Sequence, residues 1–117
     1  MVANSTVIVY EPLKSIDSST FTGSYQALGA ASTHPARIFK IVNNSTMDIT
    51  VSVDGVSDYD FLPKGTFVLY DIGTNRGNSA PELCLPPTQF YVKGTAGTGL
   101  VYLVILYANT PKMTIPL

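Results

Sequence analysis

Charge is what this chain has least of. Lys, Arg, Asp and Glu make up 13% of its 117 residues, about half the ~25% of an average globular protein. Few groups therefore insist on facing water, while 45% of the residues are hydrophobic and the mean hydropathy is +0.23. Part of the surface is expected to be covered by another chain; a monomer with a Ser/Thr-rich surface is the alternative. The seven Lys and Arg stand singly and the net charge is −1, so no basic stripe is available to neutralise phosphates and no nucleic-acid binding is expected.

Reactive side chains are equally scarce. Cys84 is the one cysteine, which excludes a disulfide-stapled scaffold and leaves the compartment open. It lies between Leu83 and Leu85 with no flanking positive charge, and reads as a small buried hydrophobe. His34 is the one histidine, so any Ser-His-Asp or Cys-His arrangement would have to use it. Its place before Pro35 in a polar loop reads as a solvated side chain. A zinc site needs about four Cys or His ligands, and the chain holds two such residues in total. Tryptophan is absent, which removes the commonest sugar-stacking platform. The longest apolar run, Leu100 to Ala108, is nine residues, far short of the roughly 20 that a membrane-spanning helix needs. No charged segment precedes an apolar one near Met1, so no secretory signal and no membrane association are expected.

What the chain does have is strand signal. Thr6 to Tyr10 (TVIVY) is β-branched and aromatic, and suits a pleated, half-buried surface. Pro12 ends it, and Lys14 to Thr20 reads as a loop. Ser24 to Ala31 is a second candidate, with Gly29 marking a bulge or a close approach. Arg37 to Val42 is apolar on both faces, as a strand covered on both sides would be. After Asn43-Asn44-Ser45, Asp48 to Asp54 alternates, with Ile49, Val51 and Val53 on one face and a wet face opposite. Asp54-Gly55 supplies a turn, Tyr59 to Leu62 is a short strand candidate, and Thr66 to Ile72 follows Pro63-Lys64-Gly65. The spacing from Ala36 to Ile72 predicts an antiparallel meander. Gln89 to Lys93 and Leu100 to Tyr107 complete the set, the latter again apolar on both faces and hence central. With almost no helical periodicity, the chain is expected to be all-β: a single-domain antiparallel β-sandwich or jelly roll of about seven to eight strands over residues 1–117.

Two segments stand outside that pattern. Gly73 to Pro87 is the longest loop candidate, and loops of that length are often interface-forming. Residues 109–117 follow as an extended C-terminal arm in which Met113, Ile115 and Leu117 alternate, while 1–5 form a flexible N-terminus. Together they give the expected interface residues Arg76, Leu83, Leu85, Met113, Ile115 and Leu117.

The one carboxylate cluster is Asp54, Asp58 and Asp60. Calcium favours several carboxylates on a compact loop, but no glutamate closes this one, and a solvated turn fits better. Glycoside hydrolysis would need a pair drawn from Asp48, Asp58, Asp60 or Asp71, and nothing selects one. The glycine-rich GTAGTG leads into a strand, so it offers no phosphate-binding helix terminus. Seven tyrosines fall mostly within strand candidates, where packing and interface roles are equally open.

Three phrases, PARIFKIVNNSTMDITVSVDG, FLPKGTFVLYDIGTNR and TQFYVKGTAGTGLVYLVILYA, resemble small all-β virion proteins of tailed bacteriophages. The resemblance spans roughly Phe21 to Ala108. It implies a non-enzymatic structural protein without cofactors, located in the virion after assembly in the host cytoplasm. Head decoration (cement) proteins of this kind sit on a capsid as trimers or other small oligomers, so the implied partners are further copies of this chain and other virion proteins such as the major capsid protein. Neck, adaptor and tail components are the neighbouring possibilities. A free-standing carbohydrate- or receptor-binding module is the rival reading.

Overall fold

Alternation and β-branching decide where the strands lie. The computed structural model describes residues 7–72 and 83–109, which form nine strands and one 3-10 turn. These are β1 (Val7–Tyr10), β2 (Lys14–Asp17), β3 (Gln26–Ala27), β4 (Ala36–Ser45), β5 (Ile49–Ser52), β6 (Asp60–Leu62), β7 (Phe67–Asp71), β8 (Tyr91–Lys93) and β9 (Gly99–Asn109), with the 3-10 turn at Ser18–Thr20. They make two antiparallel sheets. One runs β1-β9-β4-β7 with β2 also on β9; the other runs β3-β8-β5-β6. The protein is an all-β sandwich.

Phe39 and Ile41 of β4 and Val101, Leu103 and Ile105 of β9 point inward from the first sheet. Ile49, Val51, Leu62 and Val92 meet them from the second, with Phe21, Leu28 and Phe90 closing the core from connecting segments. Phe39 packs against Phe90 with ring centroids 5.1 Å apart.

The expected meander is not formed. β4 and β5 follow one another in sequence yet lie in opposite sheets, and β4 pairs with β7 and β9 instead. Alternation sets which face of a strand is buried but not which strand sits beside it. β4 runs on through Asn43-Asn44-Ser45, and Asn43 is fully buried. The Asn43 amide donates to the carbonyls of Met47 (2.9 Å) and Leu62 (3.0 Å), while its oxygen accepts from the Ser45 backbone N–H (3.2 Å). This one side chain satisfies the backbone where the chain leaves one sheet for the other.

Lys14–Asp17 is a strand, not a loop. Its Ser and Asp content argues for a turn, but pairing with β9 outweighs local preference. β1 and β2 form a single edge of the first sheet, broken at Pro12, where a proline without an N–H is tolerated. Four residue steps from Tyr10 to Lys14 face three from Leu106 to Leu103, so the break carries one extra residue, a bulge. Lys14 turns inward there and lies against Gly29, where a Cβ would stand 2.7 Å from the Lys14 side chain. Gly29 is thus a close approach, as its position in the sequence suggests. Gly55 has φ +76°, the left-handed conformation that the Asp54-Gly55 turn requires. The opposite face of β5 is less wet than its alternation predicts. Ser52 is fully buried, its hydroxyl donating to Asp54 (2.8 Å) and accepting from the Gly55 N–H (2.9 Å).

Candidate interaction surface

Strand register places the outward side chains of the first sheet in rows. One row runs Tyr10, Leu106, Ile38, Asp71; the next holds Val104, Lys40, Leu69; the next Ser15, Tyr102, Val42, Phe67. Ile8 and Ala108 lie beyond the first of these. β4 and β9 are apolar on both faces, as their sequences suggest, but no layer of described residues covers the outer one. Tyr10 is 70% exposed, Phe67 65%, Leu69 52% and Ile8 50%, with Ile38, Val42, Tyr102, Val104 and Leu106 half-buried between them. Monomers rarely expose contiguous apolar patches of more than a few hundred Å².

Charge on this face is sparse. Lys40 stands near its centre, and Asp71 lies diagonally across from it on β7. The ion pairs among the described residues are Lys14–Glu11, His34–Glu11 and Lys93–Asp58. Lys40 and Asp71 take part in none of them.

A second group of side chains surrounds the turn after β5. Asp54 accepts hydrogen bonds from the backbone N–H groups of Ser57 and Val56 (2.9 Å each), the Ser52 hydroxyl and the Tyr59 hydroxyl (3.0 Å). These donors hold its carboxyl well below the usual carboxylate range. Asp58 accepts from the Tyr25 hydroxyl and pairs with Lys93 at 3.0 Å, which lowers its pKa. Burial and the Asp58 carboxylate push the Tyr25 hydroxyl up. Tyr70 donates to Asp60, whose carboxylate likewise raises the Tyr70 pKa. Each aspartate of the cluster is thus bound by a tyrosine. Among the described residues, no group of three or more His, Cys, Asp or Glu is arranged to hold a metal ion.

The third group is at the Pro12 break. Glu11 is buried, with its carboxylate 3.0 Å from Lys14 Nζ and 3.2 Å from His34 Nδ1, and it accepts the backbone N–H groups of Thr33 (3.2 Å) and His34 (3.0 Å). Burial pushes its pKa up, but the hydrogen bonds from Lys14 and His34 outweigh that and leave it lowered. His34 is not the freely solvated residue expected: its ring stacks on Tyr107, with centroids 3.7 Å apart and planes 1° from parallel. The Thr33 hydroxyl also meets His34 at Nδ1, 3.0 Å away. A hydrolytic triad needs nucleophile and carboxylate on opposite ring nitrogens; here both crowd the same one.

No protein-family model, no curated protein and no solved structure matches the chain.

Of the interface residues expected from sequence, Arg76, Met113, Ile115 and Leu117 lie outside the described residues. Leu83 is exposed. Leu85 is half-buried: it packs against the core and exchanges backbone hydrogen bonds with Ala36 of 2.7 and 2.8 Å. Cys84 between them is exposed rather than buried. Tyr10 is one of the tyrosines for which an interface role is open, whereas the sequence does not single out Lys40, Phe67 and Leu69 of the same face, although the face did leave a signal. A strand apolar on both faces requires two covers, and the described residues supply one.

Proposed function

We propose that this chain is a non-enzymatic structural protein of a bacteriophage particle, a head decoration (cement) subunit that binds and stabilises the shell, with a neck, adaptor or tail position as the alternative within the same particle. The observation that carries the reading is the outer face of the β1-β9-β4-β7 sheet, which none of the described residues covers. An assembly subunit needs a broad apolar contact surface and no reaction centre. The resemblance of three sequence phrases to tailed-phage virion proteins supplies the setting. A second reading, a carbohydrate-binding module, is favoured by the groove lined by Thr50, Asp58, Tyr59, Asp60 and Phe61, where aromatic rings stand beside carboxylates.

The test is mass spectrometry of particles purified from cells in which the encoding virus or prophage replicates. The chain is expected in stoichiometric proportion to the shell protein and should leave the particle without loss of the shell when salt or denaturant is raised. Its absence from purified particles overturns the reading, and selective binding on a glycan array would favour the second one.

A further inference from the structure

We propose that the outer face of the β1-β9-β4-β7 sheet binds the same face of a second copy, in a two-fold contact held by reciprocal Lys40–Asp71 ion pairs. This inference rests on the reading of the protein as an assembly subunit and names the partner of its exposed face.

Area is the first ground. The four strongly exposed side chains Ile8, Tyr10, Phe67 and Leu69 present on the order of 400 Å². The half-buried residues between them bring the face to roughly 600–800 Å², close to the ~800 Å² per partner of a standard interface. Two sheet faces pack on one another at about 10 Å separation.

Charge is the second ground, and it selects the occupant. Lys40 has apolar neighbours along its own strand (Ile38, Val42) and across to both adjoining strands (Val104, Leu69). Asp71 is its diagonal neighbour, and neither is in an ion pair among the described residues. A two-fold axis lying in the interface and bisecting the line from Lys40 to Asp71 sets each Lys40 over the other copy's Asp71. One cation and one carboxylate then pair twice. An isologous contact is self-complementary in this way, whereas an unrelated partner would have to supply both charges in register.

The test is sedimentation of the purified protein over a wide concentration range, beside three variants whose folding is checked by circular dichroism. The wild type is expected to be a dimer. Lys40→Asp and Asp71→Lys should each weaken it roughly tenfold or more by setting like charges opposite one another. The double variant Lys40→Asp/Asp71→Lys should recover most of the loss. A monomer at every concentration overturns the proposal, whether the face is then bare or covered by another part of the chain. A discrete trimer or an open polymer overturns it too, since this contact closes at two. A dimer whose charge-swap variant fails to recover shows that another surface is used. The assembly reading fails separately: a monomer present in stoichiometric amount on particles removes only the two-fold contact, while a dimer absent from particles removes only the virion role.

Discussion

Glu11 is the residue on which the Pro12 break depends. Its buried carboxylate binds an ammonium, an imidazole and two backbone N–H groups. Replacing it with Gln leaves Lys14, itself only 11% exposed, without its counter-charge, and breaking a buried pair from one side costs about 3 kcal/mol or more. The pH dependence follows from the direction of the Glu11 shift. A carboxyl whose folded pKa lies below its ordinary 4.5 stabilises the fold fully above that value. The stabilisation is lost as pH falls from 4.5 through the folded pKa. Denaturant melts of wild type and Glu11→Gln should therefore converge as pH drops below 4.5 and stay apart at neutral pH. Parallel curves across that range would show that the carboxylate contributes nothing as a charge.

β9 shows what a strand's two faces do. Leu103 is 1% exposed in the core, while its neighbour Val104 looks outward beside Lys40. Leu103→Ala should cost about 2–5 kcal/mol, and Val104→Ala in the isolated chain less than about 1.5 kcal/mol. Thermal melts at low protein concentration check this; equal losses would mean that the outer face is already covered within one chain. The same strand marks how far sequence carries. Eight of the nine strands overlap runs that the sequence marks as strand candidates, because burial against one core leaves a period of two. Lys14–Asp17 was illegible because its strand character comes from a partner some 85 residues away, and the division of β4 and β5 between sheets was illegible for the same reason. At the site, two-faced apolarity of β4 and β9 announced a missing cover. The diagonal of Lys40 and Asp71 did not show, since Asp71 reaches that face only through its register with Ile38.

At the scale of the whole molecule the first sheet is built around β9, which pairs with β1, β2 and β4. Val7 sits opposite Asn109 and Lys14 opposite Leu103, so these contacts span most of the chain. Loops of such length must close before the contacts form, and refolding from denaturant is expected on the millisecond-to-second scale of β-sandwiches. Stopped-flow fluorescence of the tyrosines measures it, and a microsecond phase carrying the full amplitude would contradict the topology. On the ribosome the consequence is sharper. Of the pairings described, a nascent chain that has delivered everything before Gly99 can form only those that do not involve β9; β1 and β2 have no partner until it arrives. Throughout that interval the edge of β4 that β9 will pair remains open, with its backbone N–H and C=O groups free for chance encounters with neighbouring chains. Synthesis therefore exposes this protein to misassembly almost until β9 emerges, and a cell making many copies at once would have to shield it.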